Sequence, residues 1–245
     1  MSAQNWETIS CPVCGGASFL ALFEKHGEPF VRCAGCELVL INPRPRYNAV
    51  LETYDNAYTA GYTNKADKKR RRCRRWVARI QKRFAPVGRW LDIGCSAGFV
   101  VEAAERAGFD AFGIDVEAGA IAYAREQLGL AQVKQGSLED QAYPDQHFNV
   151  ISLYDVIEHV PDLNMLVATL KRLLHPAGVI EIRTPDVGHF RVPRDLSQWS
   201  EIKPSEHLYY FSRGTLARLL ERHALSIVSK RWSTKPGLKI YVQHA

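Results

Sequence analysis

Residues 90–98, Trp-Leu-Asp-Ile-Gly-Cys-Ser-Ala-Gly, constrain this chain more than any other stretch. A short apolar run reaches Asp92, turns through glycines and continues as a helix-like pattern. One βα unit later a second apolar run ends in Phe112-Gly-Ile-Asp115. This spacing suits a nucleoside ligand lying across strand ends. Gly94 and Gly98 permit a sharp turn and close approach of the backbone. Asp115, at the second strand tip, can accept hydrogen bonds from both ribose hydroxyls.

Two other sites share parts of this pattern. Gly94-Cys-Ser-Ala-Gly98 also fits the G-x-S-x-G elbow of serine hydrolases, with Ser96 as nucleophile and Asp155 and His207 following in chain order. Residues 1–87 offer few of the strands that should precede such an elbow, no HGG-type oxyanion loop is present, and Asp92 would have no role. A nicotinamide-type G-x-G-x-x-G loop would need glycine where Phe99 stands.

Leu91-Asp-Ile-Gly-Cys-Ser-Ala-Gly98 resembles motif I of the class I S-adenosylmethionine-dependent methyltransferases, and Gly113-Ile-Asp115 resembles their next motif. Phe148-Asn-Val-Ile-Ser-Leu-Tyr-Asp-Val-Ile-Glu-His-Val160 resembles the fourth-strand motif of the ubiquinone-biosynthesis-type O-methyltransferases. Leu173-Leu-His-Pro-Ala-Gly-Val-Ile-Glu-Ile182 resembles the helix-turn-strand that follows it.

Apolar runs over 88–93, 111–115, 130–135, 148–153, 178–183, 225–232 and 237–243 alternate with helical patterns over 98–107, 117–128, 162–174 and 213–223. Such alternation predicts an α/β, Rossmann-like, doubly wound, mostly parallel seven-stranded sheet with its crevice at the strand C-termini. The resemblance implies an antiparallel last strand. It also implies S-adenosylmethionine as cofactor, S-adenosylhomocysteine as product, and donor contacts from Asp92, Gly94, Cys95, Ser96, Gly98 and Phe99. Asp115 would then hold the ribose, Val116 would cover an adenine face, Ser137 and Leu138 would border the adenine edge, and Tyr154 would begin the loop facing the methyl group. Many relatives carry Asp where Ser137 stands.

His159 and His207 are the candidate general bases. His159 follows the fourth strand in Glu158-His-Val-Pro, and His207 lies in an insertion over 184–211. Local hydrogen bonding that shapes a loop is the competing role for each. In quinone-type relatives the Glu-His pair is linked to a divalent metal, and Glu158-His159 matches that pattern. The insertion's Trp199, Tyr209 and Tyr210 could line an acceptor pocket and Arg183, Arg191 and Arg194 could clamp an anionic group of the acceptor, while surface packing explains the same residues equally well.

Cys11-Pro-Val-Cys14 and Cys33-Ala-Gly-Cys36 form paired C-x₂-C motifs that suit a tetrahedral, structural Zn²⁺. The expected organisation is a zinc ribbon over 1–45, a helical linker or lid with a basic helix over 46–86, and the methyltransferase domain over 87–245. Tyr54, Tyr58 and Tyr62 mark one helical face, either packed on the domain or covering the donor. Residues 65–83 hold eleven Lys/Arg against one Asp, more than the whole net charge of +6. Their apolar stripe, Cys73, Trp76, Val77, Ile80 and Phe84, predicts a packed helix with a basic outer face, either solvated or anion-binding.

No apolar run reaches membrane-spanning length and the N-terminus lacks signal-peptide features, so the expected location is cytoplasmic. The expected partner is a small-molecule acceptor, such as a sugar, a quinone precursor or a secondary metabolite. RNA, reached through the ribbon and basic helix, is an alternative acceptor; a non-catalytic donor-binding module is another reading. The sequence leaves the oligomeric state open.

Overall fold

The computed structural model describes residues 6–46 and 65–245, so the tyrosine face at 54, 58 and 62 lies outside the described residues. The N-terminal region is made of short strands: β1 (Trp6–Glu7), β2 (Phe19–Lys25), β3 (Glu28–Cys33), β4 (Val39–Ile41) and β5 (Arg44–Pro45). β2 and β3 form a hairpin closed by His26 and Gly27, both left-handed, as a two-residue turn requires. β4 pairs with β3, and β5 pairs with β1.

Helix α1 (Ala66–Phe84) buries Cys73, Val77 and Ile80, with Trp76 and Phe84 partly buried beside them, as the predicted stripe requires. It stops before Pro86, where the residue preceding a proline avoids helical geometry. The larger unit then runs β6 (Arg89–Ile93), α2 (Phe99–Arg106), β7 (Asp110–Asp115), α3 (Ala118–Leu128) and β8 (Val133–Gln135). It continues through β9 (Phe148–Tyr154), α4 (Leu163–Leu173), β10 (Leu174–Pro185), β11 (Tyr209–Tyr210), α5 (Arg213–Glu221), β12 (Leu225–Lys230) and β13 (Gly237–His244). Ser212 caps α5 through a reciprocal bond with Thr215.

The seven-stranded sheet has the order β12-β13-β10-β9-β6-β7-β8. All neighbouring pairs are parallel except those of β13, which runs antiparallel to both β10 and β12. Strand order reverses at β6, which has β7 on one side and β9 on the other, so a crevice opens at its C-terminal end. The third strand is shorter than the apolar run 130–135. Gly129 ends α3 in a left-handed conformation, and Leu130 turns into the core to bond the Ala124 carbonyl.

The 184–211 insertion differs from expectation. β11 pairs with β4 and completes a four-stranded sheet in the order β11-β4-β3-β2. Trp199 and Tyr210 are buried with Phe30, Val39 and Ile41, so their apolar area goes into packing against the N-terminal region. Tyr209 donates from its hydroxyl to the Pro161 carbonyl, and its oxygen also accepts from the buried Arg44. These aromatics hold the insertion to the N-terminal sheet, a packing role in place of a free pocket wall. No helix of the described residues is long and apolar enough to cross a membrane.

Candidate functional site

At the ends of β6 and β7 the backbone is forced by sterics. Gly94 has φ +67°, and a Cβ there would meet Val156 Cγ2 at 2.4 Å. Gly98 has φ +77°, and a Cβ there would meet Leu130 Cδ1 at 2.5 Å. Ser96 also lies in the left-handed region, at φ +46°. The Asp115 carboxylate holds this loop: Oδ2 accepts from the Ser96 amide at 2.8 Å and Oδ1 from the Glu117 amide at 2.9 Å. Each oxygen keeps a lone pair for a further donor.

The other expected donor residues divide into lining and support. Val116 is 37% exposed beside Asp115, unusual for valine and suited to covering a flat ring. Cys95 and Phe99 are buried; the Cys95 thiol packs where a Gly113 Cβ would come within 2.8 Å of its sulfur. Ser137 is already engaged, since its amide and hydroxyl both donate to Asp140 Oδ2 at 2.8 Å. Asp140, which the sequence reading missed, thus supplies an exposed carboxylate at the β8 end. Its signal was the acid three residues after a serine, a common turn pairing.

Asp92 lies deeper, 3% exposed. Trp90 Nε1 donates to Ser152 Oγ at 2.9 Å, and Ser152 Oγ donates to Asp92 Oδ1 at 2.5 Å. Burial pushes the Asp92 carboxyl up to about 7, with the Asp115 charge adding to the rise and the Ser152 bond opposing it. One strand further, Tyr154 donates its hydroxyl proton to Glu181 Oε2 at 2.5 Å. Arg183 donates to Glu181 Oε1 through Nε (3.1 Å) and Nη2 (2.8 Å). Its guanidinium lies 3.6 Å from the Trp76 ring centroid and 4.2 Å from that of Tyr154. Arg183 is therefore an internal tie between α1 and the sheet and not a mobile clamp, while Arg191 and Arg194 are exposed. Glu181 was also missed, although an acid inside Val179-Ile-Glu-Ile182 is itself a signal of buried polar pairing.

The fold brings the two candidate bases together from distant segments. His159 and His207 stand 4.7 Å apart by ring centroid, edge to face, and Glu158 joins them so that one ligand atom from each lies within 4.8 Å of the others. His159 Nδ1 donates to the Glu206 carbonyl at 2.8 Å, leaving the Nε2 lone pair free. The His207 ring is buried, and its Nδ1 has no partner. Glu158 Oε2 accepts from Thr184 Oγ1 at 3.0 Å, whereas buried Oε1 is unpartnered. Burial lowers His159 to about 4 and His207 to about 3, and raises Glu158 to about 8. At neutral pH both rings are uncharged and able to accept protons. The two orphaned atoms and the mixed N/O donor set also fit a divalent cation.

The four N-terminal cysteines converge as well. Cys11 and Cys36 sulfurs lie 3.4 Å apart, as do those of Cys14 and Cys33, and all four fall within 4.8 Å of one another. A tetrahedron with Zn–S bonds of about 2.3 Å needs sulfur separations of about 3.8 Å. Gly16 and Gly35 keep the knuckles open, because a Cβ at either would lie 3.3–3.4 Å from Cys14 Sγ.

A family profile described as a methyltransferase domain matches residues 64–230. The chain is 32% identical to a ubiquinone biosynthesis O-methyltransferase of Azorhizobium caulinodans over 100 residues, 39% of this chain and 40% of that protein. It is 28% identical to the protein of the same description from Rhodopseudomonas palustris over 172 residues, 62% of this chain and 68% of that one. The chain thus spans under half of the first relative's length and about two thirds of the second's. A solved S-adenosylmethionine-dependent methyltransferase of Bacteroides fragilis, in complex with S-adenosyl-L-homocysteine, is similar in fold, with a TM-score of 0.55 at 18% identity. That match covers 71% of this chain and 76% of the other.

Proposed function

The chain belongs to the methyltransferase-domain family, as a class I S-adenosylmethionine-dependent enzyme, and on that premise we propose that it moves a methyl group from this donor to a proton-bearing small molecule. The carrying observation is the pair of acid-tipped parallel strands at the strand-order reversal, with Asp115 holding both flanking loops. In this reading the Gly94–Gly98 backbone meets the methionine moiety, Asp92 its ammonium group and Asp115 the ribose hydroxyls. Val116 and the Ser137–Leu138 segment border the adenine.

The donor sulfonium needs no activation by the protein. The residues must place an acceptor lone pair in line with the S–CH₃ bond at about 3 Å and remove the acceptor's proton. His159 is the better placed base, because its ring is partly exposed and its Nε2 lone pair is free. Fully buried His207 sets the His159 ring edge-on and excludes water behind it. A divalent cation held by Glu158, His159 and His207 would supply a Lewis acid toward an acceptor oxygen.

The N-terminal cysteines act structurally in this account. Four thiolates leave no open position on zinc, so the ion would stabilise the small sheet and, through β11, the insertion that carries His207. The test of the acceptor class is incubation with methyl-labelled donor and fractionated cell extract. Label in a low-molecular-weight fraction supports the reading; label in RNA, or no transfer despite donor binding, contradicts it.

A further inference from the structure

Beyond the donor half of the sheet, the face beneath α1 carries a second polar array. Strand register sets it out in two rows. Tyr154, Arg183 and Lys239 are paired neighbours across β9, β10 and β13; Ser152, Glu181 and Tyr241 form the row beside them. α1 covers this face, with Trp76 edge-on to Tyr154 (4.8 Å) and Phe84 edge-on to Tyr241 (5.0 Å).

Cations crowd the outer end of the array. Arg79 comes from α1, Arg183 from β10, Lys239 from β13, and Arg231 from just after β12, where its amide bonds the Lys239 carbonyl. Arg83 adds its guanidinium 5.8 Å from the Tyr241 ring centroid. Glu181 is the acid facing them, and Arg183 with Tyr154 already occupies both its oxygens. Among the described residues, no carboxylate lies within ion-pair distance of Arg79, Arg231 or Lys239. Lys239 Nζ donates to the Ser233 hydroxyl at 3.2 Å. The mutual repulsion is felt: burial together with the neighbouring guanidiniums lowers Lys239, and burial with Arg231 lowers Arg79.

Two buried donors in this cluster are unsatisfied. Arg79 Nη1 and the Tyr241 hydroxyl are both shut off from solvent with no hydrogen-bond partner. Arg79, Arg183 and Arg231 all act on that hydroxyl. Such groups are costly unless a ligand completes them. The cluster is also separate from the donor crevice. β13 lies three strands from β6, about 14 Å at about 4.8 Å per strand, on the half of the sheet that the donor loops leave free.

We propose that Arg79, Arg231, Lys239 and Tyr241 form a phosphoryl-binding subsite that holds the anionic end of the acceptor. A phosphoryl group fits better than a carboxylate, because it brings up to two charges and three acceptor oxygens to several cations and two orphaned donors. The subsite rests on the methyl-transfer reading only in assigning the anion to the acceptor. The charge cluster itself does not depend on that reading.

The test is titration of the full-length protein with inorganic phosphate at constant ionic strength, followed by calorimetry and by ³¹P line broadening. Acetate serves as the carboxylate control. The expected result is saturable phosphate binding, with a dissociation constant on the order of 1 mM, and no saturable response to acetate. Tyr241→Phe should weaken phosphate about tenfold by removing one hydrogen bond to a charged group, and Arg79→Gln by at least as much. Affinity for S-adenosylhomocysteine should stay within twofold in both variants. Should Arg79→Gln fail to fold, Tyr241→Phe alone decides, since it deletes one buried oxygen and keeps the ring. Equal phosphate affinity in wild type and Tyr241→Phe would overturn the subsite. So would binding of a short single-stranded RNA, lost in these variants, with no binding of phosphate. Loss of S-adenosylhomocysteine binding by wild type, with phosphate binding retained, would sink the methyl-transfer reading and leave the anion site standing.

Discussion

The Asp115 carboxylate accepts the Ser96 amide at 2.8 Å across nineteen residues of chain, tying the turn after β6 to the tip of β7. The residue expected to hold the ribose is thus also the one that fixes the loop beside it. Asp115→Ala should therefore lower affinity for S-adenosylhomocysteine by more than tenfold, since it removes both a ligand contact and the loop anchor. Asp115→Asn keeps one carbonyl oxygen and should lose less. Calorimetric titration of both variants checks the order; unchanged affinity in Asp115→Ala would discard the ribose assignment.

The proposed contact of Asp92 with the donor's ammonium group predicts that donor binding depends on pH. With its carboxyl raised to about 7, the folded free protein keeps a proton that the unfolded chain releases near 3.8. Its contribution to stability is therefore full below about 4, falls as pH rises to 7 and is level above that, with a total of no more than about 4 kcal/mol. The donor's ammonium requires the ionised form, so affinity for S-adenosylhomocysteine should rise toward tenfold per unit between pH 5 and 7 and level off above it. Asp92→Asn should flatten both profiles, measured as the difference from wild type in denaturant midpoint and in calorimetric affinity.

His159→Ala should reduce turnover by about 10²–10⁴ and leave S-adenosylhomocysteine affinity unchanged, because the ring lies past β9, on the side proposed for the acceptor. His207→Ala should cost turnover and stability together, since it opens a void among buried groups. Single-turnover kinetics with a responsive acceptor separates the two. Full activity in His159→Ala would remove it as the base.

Cys11→Ser or Cys33→Ser should abolish stoichiometric zinc, read by elemental analysis of reduced protein. Each should also lower the unfolding midpoint of the N-terminal sheet, and affinity for S-adenosylhomocysteine should change little. Wild-type protein free of zinc after purification without chelator would count against the ribbon.

The turn geometry at the ends of β6 and β7 was legible in the sequence because local chemistry dictates it. Gly94 and Gly98 must adopt positive φ against Val156 and Leu130, and the acids at 92 and 115 end apolar runs. The parallel core followed from periodicity. The insertion was not legible. Trp199 and Tyr210 read as pocket aromatics, yet their partners, Phe30, Val39 and Ile41, lie far back along the chain, and a two-residue strand has no periodicity to detect. Arg183 read as a clamp because its partner Glu181 looked like part of an apolar strand. His159 and His207 were each named, but nothing local said that they meet.

The central claim is a crevice that grips a nucleoside-linked sulfur compound through Asp115 and Asp92. Isothermal calorimetry of the purified protein with S-adenosylhomocysteine tests it most directly. The account predicts one site per chain, micromolar or tighter at pH 8 and weakened in Asp115→Ala. No heat of binding at pH 8 with either this compound or S-adenosylmethionine, from folded protein, would contradict it.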